Sequence, residues 1–209
     1  MNKQKILASA RLALGVFTLG VIFVQLINTI TKDHSVSNFF SFFTIQSNLL
    51  AALLLVTIGT YILLGKSGRT VAYLRGALTL YMTMTGVIYV LLLTGYERDL
   101  QTTIPIVNIT LHYVMPAFVL LDWLIFPPQK KLALKPALLW LIYPLFYLAY
   151  SLVRGAIVNW YPYPFINPVT SGWPNLIGIS FTIAIATFVL TWLLVLRTVK
   201  KPRSQAPRQ

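Results

Sequence analysis

Two side chains that can do chemistry lie inside apolar stretches of this sequence. Thr44 lies in SFFTIQSNLLAAL, and His112, in IPIVNITLHYVMPAF, is the only histidine within an apolar segment. Ionisable groups at membrane depth are costly and indicate function by default. Histidine is the usual general base near neutral pH, and a neighbouring base can turn a threonine hydroxyl into a nucleophile. The two residues can therefore form an acyl-transfer site.

Six apolar segments must position these residues, each near the ~20 residues that a membrane-spanning helix needs. They cover roughly residues 6–30, 38–64, 76–94, 105–126, 136–153 and 174–196. Only 10% of the 209 residues are charged, whereas a soluble domain carries about 25%. We therefore predict an all-α, multi-pass membrane protein with six transmembrane helices and a single domain over residues 1–209.

The basic residues predict how the helices are oriented. Of the 17 Lys and Arg residues, 14 lie at the N-terminus or after the second, fourth and sixth segments. The positive-inside rule then places both termini in the cytoplasm of a cell-membrane protein, with residues 197–209 as a basic cytoplasmic tail. The net charge of +13 is thus a topology signal whose partners are membrane lipid headgroups, not nucleic acid.

Thr44 and His112 are predicted to lie at similar depth. Both helices enter from the outside, which places Thr44 about 9 Å and His112 about 10 Å below the outer ends. On a continuous helix, one narrow face of the second segment carries four polar residues: Ser37, Ser41, Thr44 and Asn48. Such residues also join membrane helices by packing, but a histidine at matching depth favours a site.

Four further residues are candidates for binding a substrate. Asn108 lies one turn from His112, where it can bond the ring or a ligand, and Asn48 can assist the pair. Arg154, at the outer end of the fifth segment, can hold a carboxylate or a lipid phosphate, or can anchor the helix. Tyr163 belongs to a proline-rich aromatic run that can form an interfacial belt or a lid.

Composition limits the chemistry further. The absence of cysteine excludes thiolate catalysis and Cys-ligated metals, and four acidic residues leave little for a carboxylate site. Asp122 lies about 15 Å beyond His112 along the helix and is expected to pair with Lys130, Lys131 or Lys135. We therefore predict a dyad without an acid, metal or cofactor, in which N–H groups at the start of the second helix stabilise the oxyanion.

Three patches resemble a known family. In order along the chain, FFTIQSNLL, LHYVMPAFVLLDW and YPYPF are similar to the androgen-induced six-span membrane proteins, which are threonine hydrolases of fatty acid esters of hydroxy fatty acids. The resemblance implies that Thr44 is the nucleophile, that His112 is the base, and that the substrate is a lipid ester within the membrane. Small residues below Thr44, at Ala51, Ala52 and Gly59, would suit an acyl chain.

The sequence thus predicts a membrane lipid esterase on fatty-acyl esters with its site near the outer leaflet. Two other functions remain open. Polar faces on the helices could line the path of a small-solute transporter, or the protein could bind lipid without catalysis. The sequence does not determine the natural substrate or the oligomeric state.

Overall fold

A computed structural model describes residues 3–66, 69–128 and 131–198, and every regular element among them is helical. Six helices are long and apolar enough to span a membrane, as predicted. We call them spans one to six: Gln4–Thr31, Phe43–Leu63, Thr70–Leu93, Pro105–Ile125, Leu134–Val158 and Trp173–Leu196. Short helices cover Val36–Phe39, Pro164–Ile166 and Pro168–Ser171. The predicted tail from residue 199 onward lies outside the described residues. Below, "outer end" means the end that the basic residues predict to face outside.

Span two begins later than predicted. Phe42 has an extended backbone, and the helix starts at Phe43 rather than at residue 38. Ser37 and Ser41 therefore precede the helix, and the predicted continuous face of four polar residues is wrong. Thr44 consequently lies in the first helical turn, where backbone N–H groups lack intrahelical partners.

The small residues of span two pack against other spans: Ala52 and Gly59 face span one, and Ala51 belongs to a buried cluster with residues of spans three and four. A Cβ atom added to Gly15 would lie 2.7 Å from the carbonyl oxygen of Ala52, and one added to Gly59 would lie 2.7 Å from that of Ala8. Ala51 and Ala52 are fully buried. Small side chains let membrane helices approach closely. The predicted acyl-chain surface is therefore wrong, because this face is a helix–helix interface.

Spans three and four each contain a π-helical turn, at Tyr89–Leu93 and Thr110–Val114. Pro116 explains the second turn, because a proline has no N–H to bond the carbonyl four residues earlier. π turns change the direction of side chains and are frequent at functional sites. Here they bring the rings of Tyr89 and His112 into a stack with centroids 3.8 Å apart.

A buried ionic cluster joins three spans toward the opposite end of the bundle. Asp122 pairs with Arg11 at 2.7 Å and with Arg75 at 3.0 Å. Arg75 therefore lies within span three, which begins at Thr70 instead of residue 76. The prediction that Asp122 pairs with Lys131 or Lys135 is wrong, because its partners are the two arginines. Lys130, the third predicted partner, lies outside the described residues. Removing one partner of a buried pair typically costs about 3–5 kcal/mol, so this cluster fixes the packing of the spans.

Candidate active site

Thr44 is held by a tyrosine from the connection between spans five and six. Its backbone N–H donates to the Tyr163 hydroxyl at 3.2 Å, and its Oγ1 lies 3.4 Å from the same hydroxyl. The N–H of Phe43 donates to the Tyr147 hydroxyl at 3.2 Å. The two N–H groups at this helix start, which the sequence suggested as oxyanion donors, are therefore bound to tyrosine hydroxyls.

Tyr163 is buried beneath the aromatic run rather than exposed at its surface. Only 5% of it is exposed, and its ring packs on Phe165 and Phe42 with centroids 5.4 and 5.9 Å away. Burial raises the pKa of Tyr163, so its hydroxyl keeps its proton. The Tyr163 hydroxyl accepts a hydrogen bond from Thr44 N–H, and this bond does not use the proton of the hydroxyl. Tyr163 can therefore donate that proton to an acceptor that lies next to Thr44 Oγ1.

His112 is the first member of a chain of hydrogen bonds. Its Nδ1 lies 2.7 Å from Oδ1 of Asn108, Asn108 Nδ2 donates to the Tyr89 hydroxyl at 2.8 Å, and Tyr89 donates to Glu97 at 3.0 Å. An ionised carboxylate only accepts hydrogen bonds. Because Glu97 only accepts, Tyr89 donates to it and accepts from the amide nitrogen of Asn108. The amide oxygen of Asn108 then faces His112, so Nδ1 of His112 must carry the proton. Its Nε2 keeps a lone pair and has no hydrogen-bond partner among the described residues.

Glu97 is an acid at the far end of this chain that the sequence did not indicate. The Gly95 N–H donates to Glu97 Oε1 at 3.1 Å, and this bond is the main cause of the lowered pKa of Glu97, with Tyr89 contributing. The carboxylate therefore stays ionised at neutral pH. Glu97 acts on His112 through Tyr89 and Asn108, whereas Asp122 belongs to the distant ionic cluster.

Of the two other predicted residues, Asn48 lies beside the site and Arg154 makes no contact with Thr44 or His112. Asn48 donates to the carbonyl oxygens of Thr44 at 2.9 Å and Leu111 at 3.1 Å, which joins span two to span four next to both Thr44 and His112. Arg154 donates to Asn38 at 2.6 Å. Neither Asn48 nor Arg154 lines either of the two cavities described next.

The larger cavity is apolar and has a volume of about 160 Å³. Thr44 and Tyr163 lie on its wall, which is completed by apolar residues of spans three, five and six, among them Met84, Leu148 and Ile183. Leu145 of span five lines it and is 57% exposed, and Ala184 of span six lines it and is also exposed. The cavity therefore opens sideways between spans five and six, toward the surrounding lipid.

The smaller cavity lies on the other side of Thr44 and is partly polar. Its volume is about 10 Å³, and its polar lining residues are Gln25, Thr44, Thr102 and His112. Thr44 thus forms a wall shared by an apolar cavity and a cavity that contains the histidine. From the sequence, Gln25 and its polar neighbours at the outer end of span one could line this cavity or meet the lipid headgroups, and the second was favoured. The sequence did not indicate Thr102 as a member of the site, because it comes from the loop after span three.

Metal chemistry has no obvious ligand set in the part of the chain that the structure describes. Across residues 3–66, 69–128 and 131–198, no three His, Asp or Glu side chains lie close enough to hold a metal ion.

No known family model, curated protein or solved structure matches this chain. The resemblance to the six-span threonine hydrolases stays a prediction from the sequence patches.

Proposed function

We propose that this protein is a membrane-embedded esterase that hydrolyses fatty-acyl esters. Thr44 is the nucleophile and His112 is the general base. The observation that carries the proposal is the position of Thr44 between the apolar cavity and the cavity lined by His112. An ester whose acyl chain occupies the apolar cavity would present its carbonyl carbon to the Thr44 hydroxyl.

In the first step, Thr44 Oγ1 attacks the carbonyl carbon while Nε2 of His112 takes the hydroxyl proton. The leaving alcohol then receives this proton from His112, and the acyl group remains on Thr44. No hydrogen bond joins the two side chains in the free protein. Catalytic hydrogen bonds are often long without substrate and tighten in the complex.

Tyr163 is the proposed oxyanion donor. A tetrahedral intermediate on Thr44 places its negative oxygen close to Oγ1, and the Tyr163 hydroxyl lies 3.4 Å from that atom. The bond that this hydroxyl accepts from Thr44 N–H holds its oxygen beside Oγ1, so the donor is in place before the substrate binds. Preorganised donors of this kind are usually a large part of catalysis.

The apolar cavity supports an acyl chain as the bound group. A dry protein cavity of about 150 Å³ binds benzene, so about 160 Å³ holds about six carbon atoms. At about 1.5 Å per residue, Leu145 and Ala184 lie about 20 and about 17 Å from the outer ends of their helices, near the bilayer centre. A longer chain can therefore extend through this opening into the lipid.

The arrangement favours a pocket over a transport path. The polar cavity lies at the outer end and the apolar cavity extends from there to the middle of the bundle, while the opposite end holds the buried cluster of Asp122, Arg11 and Arg75. A solute path would have to cross that cluster. The apolar cavity alone would equally suit a lipid-binding protein, so the test below measures turnover.

The test compares p-nitrophenyl octanoate with p-nitrophenyl acetate. The purified protein is expected to hydrolyse the octanoate ester with the higher kcat/KM. Ala184→Phe fills the cavity opening and is expected to lower kcat/KM for the octanoate ester by about tenfold or more, because pocket contacts discriminate chains by such factors. The acetate ester is expected to be hydrolysed at the unchanged rate.

Ala186→Phe is the matched control, since Ala186 is exposed on the same helix and does not line the cavity. It should leave both rates unchanged. An inactive wild type, or an equal loss with both esters in Ala184→Phe, would contradict the proposal.

Tyr89→Phe tests the chain of hydrogen bonds behind His112. The ring can still stack, but the link from Asn108 to Glu97 is broken, so His112 no longer has one enforced tautomer. Because the other tautomer has no lone pair on Nε2, kcat is expected to fall by about tenfold or more with KM unchanged. Tyr61→Phe, at the opposite end of span two, is expected to keep the wild-type kcat. An unchanged kcat in Tyr89→Phe would show that the chain does not act on the base.

A further inference from the structure

The polar cavity contains two hydrogen-bonding atoms without a partner. They are Oε1 of Gln25 and Oγ1 of Thr102, and neither is bonded by any described residue. Gln25 is 1% exposed and Thr102 is 5% exposed. Unsatisfied buried polar atoms are rare and need an explanation, such as a bound water. Both residues line the same cavity as Thr44 and His112.

The size of the cavity selects the ligand. A volume of about 10 Å³ corresponds to about one water molecule, and a buried water needs two to four polar partners. Gln25, Thr102, Thr44 and His112 supply that number. An alcohol or an acyl chain is too large for this volume. The wall of the cavity on the other side of Thr44 also carries hydroxyl groups, among them those of Thr85 and Ser180, but most of that wall is apolar.

The fold holds both unpartnered atoms in place. The side-chain amide of Gln25 donates to the carbonyl of Gln101, which leaves its Oε1 as the free acceptor. Gln101 has a left-handed backbone with φ of 57°, an unusual conformation for a residue other than glycine. The N–H of Thr102 donates to the carbonyl of Glu97 at 2.8 Å, so one loop carries both Thr102 and the acid behind His112.

We infer that this cavity binds the water that hydrolyses the acyl-enzyme, and that Gln25 and Thr102 are its binding residues. The inference rests on the proposed esterase function. The water oxygen attacks the acyl carbonyl carbon while His112 Nε2 takes one water proton. The bond from that carbon to Thr44 Oγ1 then breaks, His112 returns the proton to Thr44, and the free carboxylic acid leaves.

This placement assigns the two sides of Thr44 to different reactants. The acyl chain lies in the apolar cavity, and the water approaches from the side of His112. The Thr102 hydroxyl has no hydrogen bond to any described residue, so its loss removes a contact to the water without breaking a contact that holds the fold.

The experiment follows single turnovers of p-nitrophenyl octanoate by the wild type, Thr102→Val and Thr102→Ser. In Thr102→Val, the initial burst of p-nitrophenol, which reports acylation, is expected to keep its rate. The steady-state rate is expected to fall by about tenfold, as for the loss of one hydrogen bond. Intact-protein mass spectrometry is expected to detect octanoyl-enzyme, and Thr102→Ser is expected to restore turnover.

Thr18→Val is the matched control, because Thr18 is a fully buried threonine of span one whose hydroxyl also has no partner and which lines neither cavity. It should behave as the wild type. A Thr102→Val variant in which burst and steady-state rates are both unchanged, or fall together, would overturn the water assignment alone. A wild type that shows no burst and no turnover would overturn the esterase function and this inference with it.

Discussion

Thr44→Val is expected to abolish covalent labelling by a fluorophosphonate probe and to lower ester hydrolysis by on the order of 10⁴-fold or more, as in other enzymes that lose their nucleophile. Valine keeps the shape of threonine and removes only the hydroxyl. That hydroxyl has a single side-chain contact, at 3.4 Å to Tyr163, and the backbone bond of Thr44 to Tyr163 remains. The fold should therefore persist, as measured by the thermal transition in detergent.

Two variants make this result specific. Thr44→Ser is expected to keep labelling, because it retains a hydroxyl at the same place. Thr191→Val removes another fully buried threonine hydroxyl, which bonds only within span six, and should label as the wild type does. Labelling of Thr44→Val at the wild-type rate would place the nucleophile elsewhere and reject the proposed mechanism.

The sequence was sufficient for the number of spans, because this number depends on local composition. The structure brings Thr44 and His112 to one cavity, although the depth argument assumed a helix from residue 38. In fact Phe42 breaks that helix. Residues 38–42 have the same hydrophobicity whether they form a helix or a turn. The hydrophobic pattern alone therefore could not show at which residue span two begins.

Partners distant in the sequence were not predictable in the same way. Asp122 was assigned to nearby lysines, but its partners Arg11 and Arg75 are 111 and 47 residues away. The link from His112 to Glu97 depends on π turns in two different helices. A helical wheel with a fixed angle per residue cannot represent such turns, so the stacked position of Tyr89 was not visible in the pattern.

The small residues of span two illustrate an ambiguity of composition. A smooth helix face can border a bound acyl chain or a neighbouring helix, because both are apolar and both need close approach. Span one supplies matching small residues at Ala8 and Gly15, so the two helices pack together there. The apolar cavity instead lies between spans three, five and six, which the pattern of span two could not indicate.

His112→Gln is expected to lower kcat by about 10²- to 10⁴-fold, the usual contribution of a general base. Glutamine can still donate a hydrogen bond to Asn108, so the contacts of spans three and four are largely kept. It has no basic nitrogen in place of Nε2, and the Thr44 hydroxyl then reacts without a proton acceptor. The measurement is the rate of p-nitrophenyl octanoate hydrolysis together with the rate of fluorophosphonate labelling, and both should fall by the same factor.

His34→Gln is the matched control, because His34 is the other histidine of the chain and is exposed in the loop between spans one and two. It should retain full activity. In His112→Ala, added imidazole is expected to restore part of the labelling of Thr44, because the small base can occupy the space of the missing ring. Thr44 labelled at the wild-type rate in His112→Gln would mean that another group activates the hydroxyl, and the chain from Glu97 through Tyr89 and Asn108 would then hold only the structure.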